Sequence, residues 1–115
     1  MDASLVVTWS HVLPGREMKA MQYAMEVDEF WAKLAAEGKC TAPEWFFSTL
    51  GHNIWMVKGD LETLRAIEDT DEAKMMNEKG FWLLADFGLE YYLTGAAAAA
   101  SNEWYIRAGQ ELELV

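Results

Sequence analysis

The stretch LVVTWSHVLPGREM, residues 5–18, decides the fold of this chain. Its first part is rich in β-branched residues and predicts a strand over residues 5–12. Pro14 cannot continue a strand ladder, and Gly15 permits a sharp change of direction. A long helix is predicted to begin directly after this turn, at Arg16. The segment therefore predicts a domain in which strand and helix alternate.

The first helix is predicted over residues 16–37. Apolar residues recur there at helical spacing, among them Ala20, Val27 and Trp31, so that one stripe faces the core. Gly38 follows as a typical helix terminator.

Aromatic and β-branched runs predict three further strands, at residues 45–50, 54–58 and 85–94. The turn Gly51-His52-Asn53 joins the first two of them as a hairpin. A second helix is predicted to begin after the cap Asp60, to bend near Asp69 and to end at Gly80.

The order strand, helix, strand, strand, helix, strand is the split arrangement of the α+β ferredoxin-like fold, with an antiparallel four-stranded sheet. Right-handed crossovers place the third strand beside the first strand, and the fourth strand on its other side. We assign residues 1–95 to this domain and residues 96–115 to a C-terminal extension. The alanine run 96–100 is interpreted as a short helix or a flexible connector. The tail after it, with Trp104, is expected to pack on the domain or on a dimer partner.

The predicted helices cover one face of the sheet only. The other face carries Glu90 and Tyr92, together with large apolar side chains from the first three strands. A bare face of this kind favours aggregation, and a second copy of the chain would cover it. We therefore expect a symmetric homodimer.

Composition excludes several classes of partner. The chain has 115 residues, a formal net charge of −10 and a single cysteine, Cys40. Such a charge repels phosphate backbones and anionic lipid, so we expect neither nucleic acid nor membrane as a partner. Without a disulfide, a signal peptide or an apolar run of about 18 residues, the chain is expected to be cytoplasmic.

Two segments resemble a known family. LVVTWSHVLPGREMKAM is similar to the first strand and helix of the dimeric α/β-barrel superfamily, and DTDEAKMMNEKGFWLLADFGLEYYLTG is similar to the second helix and fourth strand of such proteins. The resemblance covers roughly residues 5–95. It implies a ferredoxin-like homodimer with a barrel-like space between its sheets. The superfamily includes cofactor-free monooxygenases, muconolactone isomerases, haem-binding enzymes and uncharacterised members, and this chain is interpreted as an uncharacterised one.

The predicted topology brings His11, His52 and Asp86 to one end of the sheet. His11 is the candidate proton acceptor, because imidazole exchanges protons near neutral pH, and Asp86 is the candidate that orients it. The alternative is that the two histidines are edge and turn residues without chemistry.

The candidate ligand-binding residues are those that would line a cavity on the non-helical face: Trp9, His52, Trp55, Glu90 and Tyr92. Indole rings suit a flat aromatic molecule. No spacing typical of a metal site, a phosphate loop or a nucleophile elbow is present, so we expect no metal and no cofactor.

Three functions stay open from the sequence. The first is binding of a small apolar or aromatic molecule in the cavity on the non-helical face. The second is a cofactor-independent monooxygenase or isomerase. The third is a structural dimerisation module without a ligand.

Overall fold

The computed structural model describes residues 1–115. Its elements, in chain order, are β1 (Ala3–Trp9), β2 (His11–Val12), α1 (Glu17–Ala36), β3 (Glu44–Phe46), β4 (Asn53–Gly59), α2 (Leu61–Glu68), α3 (Asp71–Leu83), β5 (Leu84–Ala85), β6 (Gly88–Leu93) and α4 (Gly95–Glu111).

The main sheet has the strand order β3-β4-β1-β6, and all its pairings are antiparallel. β1 lies in the centre and pairs with β4 on one side and with β6 on the other. The predicted ferredoxin-like α+β fold and its strand order are therefore confirmed.

The first predicted strand is interrupted at Ser10. β1 ends at Trp9, and β2 then pairs with β5 in a separate two-stranded ladder, His11 opposite Ala85. The prediction of one strand over residues 5–12 is wrong at this point, because the chain leaves the main sheet there. The predicted strand over residues 85–94 is likewise divided, into β5 and β6.

α1 covers one face of the sheet. Val27 and Trp31 of this helix are almost fully buried, and the Trp31 ring lies 5.8 Å from the Trp55 ring of β4. Leu5 and Val7 of β1 are fully buried on the same side. Burial of large apolar side chains between helix and sheet is the main stabilising contribution to such a domain.

The register then fixes which residues share each face. Val7 pairs with Trp55 and Leu89, so these residues point towards the helices. Val6 pairs with Met56 and Glu90, so these point away from them. We call the second surface the open face. It comprises the remaining outward-facing residues of the four strands as well, among them Thr8, Phe46, Ile54 and Tyr92.

The bend predicted near Asp69 is present, because α2 ends at Glu68 and α3 begins at Asp71. Thr70 caps α3, and its hydroxyl accepts a hydrogen bond of 3.3 Å from the Ala73 amide. The predicted end at Gly80 is wrong, since α3 continues to Leu83. Gly80 serves packing instead, because a side chain there would overlap the Phe87 ring.

The C-terminal extension is a 17-residue helix, α4, which is longer than the predicted short helix or connector. None of its residues is buried, and most of them are exposed. The radius of gyration is 16.8 Å, against the roughly 13 Å of a compact domain of this length, which fits a projecting helix.

Two helical glycines give a test of the packing. We expect Gly80→Ala to lower the free energy of unfolding by about 1–3 kcal/mol, because the added methyl group overlaps the buried Phe87 ring. Gly109→Ala is the matched control, since its new methyl group meets only Val115 at the exposed chain end. Urea unfolding of both variants measures the difference. A Gly80→Ala variant as stable as the control would contradict this account of the Gly80–Phe87 contact.

Candidate functional site

An apolar pocket of about 300 Å³ lies between α1 and the helix-covered face of the sheet. Ten of its eleven lining residues are hydrophobic, which makes it suited to an uncharged apolar molecule. Small side chains of α1, Ala20 and Ala24, leave the space that larger residues would fill. The sheet contributes Trp9, Trp45 and Trp55.

Aromatic rings in edge-to-face and stacked contact form the sheet side of this pocket. The Trp9 ring meets the rings of Trp45 and Phe47 edge-on, at centroid distances of 6.1 and 6.2 Å. Trp45 stacks on Phe47 at 6.2 Å. The Trp45 indole N–H also donates to Asp28 Oδ1 of α1 at 2.9 Å, which fixes the ring. These contacts fix the orientations of the rings relative to one another.

Two of the lining residues carry a polar group at the end of the side chain: Glu17 is exposed at the start of α1, and Tyr23 is buried. Glu17 Oε1 accepts a hydrogen bond of 3.2 Å from the Gly15 amide, at the start of α1. Burial raises the pKa of Tyr23, and the nearby charges of Glu26 and Glu68 raise it further. Tyr23 is therefore a neutral phenol at physiological pH.

A second, polar cleft of about 460 Å³ lies at the end of β1. Ser10 and Asp86 line it, and the Ser10 hydroxyl lies 2.7 Å from Asp86 Oδ2. The same hydroxyl lies 3.1 Å from Nδ1 of the exposed His11. The expected gathering of His11 and Asp86 is thus observed, with Ser10 between them. Asp86 has a positive φ of 56°, a conformation that Asp adopts more readily than most residues.

His52 and Asn53 line the same cleft. Asn53 is nearly buried, and its side-chain amide donates to the Ser10 carbonyl at 2.9 Å. Asn53 Oδ1 accepts a hydrogen bond of 2.9 Å from the Ser48 amide. The Asn53 side chain therefore joins the β3–β4 loop to the end of β1.

The predicted ligand-binding residues do not form one site. Glu90 and Tyr92 lie on the open face, where the Tyr92 hydroxyl donates to Glu90 Oε2 at 2.7 Å. That hydrogen bond raises the pKa of Tyr92. Trp9 and Trp55 lie on the helix-covered face. Their predicted position in a cavity on the open face is wrong, because apolar residues occupy both alternations of these strands and the pattern left the face undecided. Of this set, only His52 and Trp9 line the polar cleft.

Several lining residues were not predicted as site residues. Glu17, Met21 and Tyr23 line the apolar pocket from α1, and Ser10 connects His11 with Asp86 in the polar cleft. The helical stripe of α1 carries no signal that separates pocket residues from core residues. Ser10 lies between His11 and Asp86 because β1 ends at Trp9, and the sequence pattern did not predict this interruption.

The single cysteine is not placed for nucleophilic chemistry. Cys40 is buried, and burial raises the pKa of its thiol, which disfavours the reactive thiolate. No group of three or more His, Cys, Asp or Glu side chains is arranged to hold a metal ion. None of the helices combines the length and the apolar character that a membrane span requires.

Several proteins of known structure share this fold. The chain is similar to a conserved protein of unknown function from Bacteroides thetaiotaomicron, at 22% identity over 81% of this chain and 98% of that one, with a TM-score of 0.60. An antibiotic biosynthesis monooxygenase matches at 15% identity over 82% and 97%, with a TM-score of 0.61.

A hydroxynitrile lyase from Passiflora edulis matches at 8% identity over 82% of this chain and 94% of its own, with a TM-score of 0.62. No protein-family model matches the chain, and no curated protein matches it. The predicted dimeric α/β-barrel resemblance is thereby confirmed as a likeness of fold, with uncharacterised proteins among the neighbours.

Asn53 provides a test of how the polar cleft is held together. We expect Asn53→Ala to lower the free energy of unfolding by about 1–3 kcal/mol, because the Ser10 carbonyl and the Ser48 amide lose their partner. Asn102→Ala, on the exposed helix α4, is the control. Thermal unfolding compares the two, and equal stability would show that the Asn53 bridge contributes nothing.

Proposed function

We propose that this protein binds a small, uncharged aromatic molecule in the apolar pocket between α1 and the sheet. The observation that carries the proposal is the wall of Trp9, Trp45 and Trp55, held in place in a space of about 300 Å³. Flat rings fit between these indoles and the small residues Ala20 and Ala24 by edge and face contacts.

The polar groups of the pocket add a restriction on the ligand. Glu17 carries a carboxylate, so an anionic ligand is repelled, whereas a hydroxyl group can donate to it. An uncharged aromatic compound with a hydroxyl substituent therefore suits the pocket best.

Filling the pocket tests the proposal. The probe is 2-naphthol, and isothermal titration calorimetry measures its binding. We expect Ala24→Phe to weaken binding at least tenfold, about 1.4 kcal/mol, because the new ring occupies the space between α1 and the tryptophans.

Ala32→Phe is the matched control, because Ala32 lies on the exposed side of the same helix. It should bind the probe like the original protein. Equal binding by both variants would place 2-naphthol elsewhere on the protein, and absence of binding by the unaltered chain would contradict the proposal.

A second candidate is a cofactor-independent monooxygenase or isomerase acting on the molecule held in this pocket. It is favoured by the Glu17 carboxylate, a proton acceptor at the exposed start of α1 beside ten hydrophobic lining residues. One of the proteins with a similar fold is a monooxygenase, which supports this class of enzyme but no particular substrate or reaction. Chemical change of a bound compound that stops in Glu17→Gln while binding persists would favour this candidate.

The homodimer is also a proposal, and it rests on the open face. Val6, Ile54 and Met56 lie there without a covering layer, and Phe46 and Tyr92 are about half exposed. A second copy would bury this surface in a two-fold interface, in which the open face of one subunit packs against the open face of the other. If the dimer forms and no ligand binds, the protein is a dimerisation module.

The proposed dimer gives α4 a place to pack. The Trp104 and Tyr105 side chains of this helix are exposed, and so is Leu112 directly after its end. We propose that these apolar side chains pack on the partner subunit. A cytoplasmic location stays a prediction, and the buried thiol of Cys40 agrees with a reducing compartment.

Sedimentation equilibrium at micromolar concentration tests the assembly. We expect a mass of twice the 13.1 kDa chain. Met56→Asp should shift it towards the monomer, because the charge lies in the apolar interface next to Glu90 across β1. Thr63→Asp, on α2 away from the open face, is the control. A monomeric original protein, or a Met56→Asp variant that dimerises equally, would contradict the proposed interface.

A further inference from the structure

The Ser10 hydroxyl has three hydrogen-bond partners within reach and one proton to donate. Asp86 Oδ2 lies at 2.7 Å, His11 Nδ1 at 3.1 Å and the Ala85 carbonyl at 3.2 Å. A hydrogen bond to an ionised carboxylate is shorter and stronger than one to a neutral acceptor. The proton of Ser10 therefore points to Asp86.

This direction determines the protonation of His11. Since Ser10 Oγ donates to Asp86, the contact of 3.1 Å to His11 requires that Nδ1 carry the proton and donate to Oγ. In the neutral imidazole the other nitrogen, Nε2, then has a free lone pair. Asp86 thus positions His11 through Ser10.

The backbone holds this arrangement in place. The Ser10 amide donates to the Ala85 carbonyl at 2.9 Å, and the Ser10 carbonyl accepts from Asn53 at 2.9 Å. Asp86, which has a positive φ, directly follows Ala85, the residue of β5 that pairs with His11. The ladder of β2 and β5 therefore holds both side-chain partners of Ser10, His11 and Asp86.

We propose that His11, Ser10 and Asp86 form a proton-accepting site at the polar cleft, whose ligand is an uncharged molecule with a hydroxyl group. His11 is exposed and lies beside Ser10, which lines the cleft, so a ligand in the cleft can approach the imidazole. The Asp86 carboxylate and the net charge of −10 disfavour an anion. The cleft shares only Trp9 with the apolar pocket, so this site does not depend on the ligand proposed for that pocket.

The chemistry of the site is a single proton transfer. The hydroxyl O–H bond of the ligand breaks, its electron pair stays on oxygen, and the proton forms an N–H bond with Nε2. The resulting imidazolium keeps its Nδ1 hydrogen bond to Ser10, whose hydroxyl remains directed at the Asp86 carboxylate. Ser10 and Asp86 exchange no proton in this step, as in other sites where a carboxylate orients a histidine.

Long-range proton–nitrogen NMR spectra of the full chain test the tautomer directly. At about pH 8.5 imidazole and phenol are both neutral. We expect His11 to be mainly the Nδ1–H tautomer in the original protein. Ser10→Ala should change the majority to Nε2–H, since Nδ1 loses its acceptor. Asp86→Gly, which tolerates the positive φ, should lower the Nδ1–H population and gives a second measurement if Ser10→Ala does not fold.

Ser101→Ala on α4 is the control, and its His11 spectrum should match that of the original protein. Phenol is the ligand probe: it should shift the His11 Nε2 signal in the original protein and shift it less in Ser10→Ala. Benzoate should produce no such shift. A majority of Nε2–H in the original protein, or a tautomer ratio that neither variant changes, would overturn the proposed arrangement. An equal shift with benzoate would overturn the proposed ligand class.

Discussion

The central position of β1 is the constraint on which the rest of the structure depends. Its backbone pairs with β4 along one edge and with β6 along the other, so neither neighbour can slide without breaking its ladder with β1. Because successive side chains of a strand point to opposite faces, a slip of one residue would exchange the two faces completely. The pairing of Val7 with Trp55 therefore decides where the aromatic wall lies, and the pairing of Val6 with Glu90 decides what remains outside.

The two faces of this sheet differ in how they are covered. α1 lies over one face and buries Trp31 against Trp55, but the small residues Ala20 and Ala24 leave part of the space unfilled. The open face has no such layer within one chain. Cavities inside a domain and apolar surfaces on it both leave side chains without packing partners. We interpret the first as room for a ligand and the second as room for another subunit.

Element order was predictable because periodicity and turn residues are local properties. The long stripe of α1, the cap at Thr70 and the hairpin after β3 each appear within a few residues of sequence. The two faces were not predictable for Trp9 and Trp55, since both alternations of β1 and β4 carry apolar residues. α3 continues past Gly80, where the Phe87 ring, from the turn between β5 and β6, occupies the space of a side chain. The length of α4 escaped prediction because Gly95 and Ser101 also suit a connector. Of the candidate site, the sequence indicated His11 and Asp86 but not the serine between them.

Trp9 is the one residue that borders both the apolar pocket and the polar cleft. A smaller side chain at this position would remove the partition and merge two compartments of opposite polarity into one channel. For protein engineering, Trp9 is therefore the position at which one substitution changes the shape of the apolar pocket and of the polar cleft together.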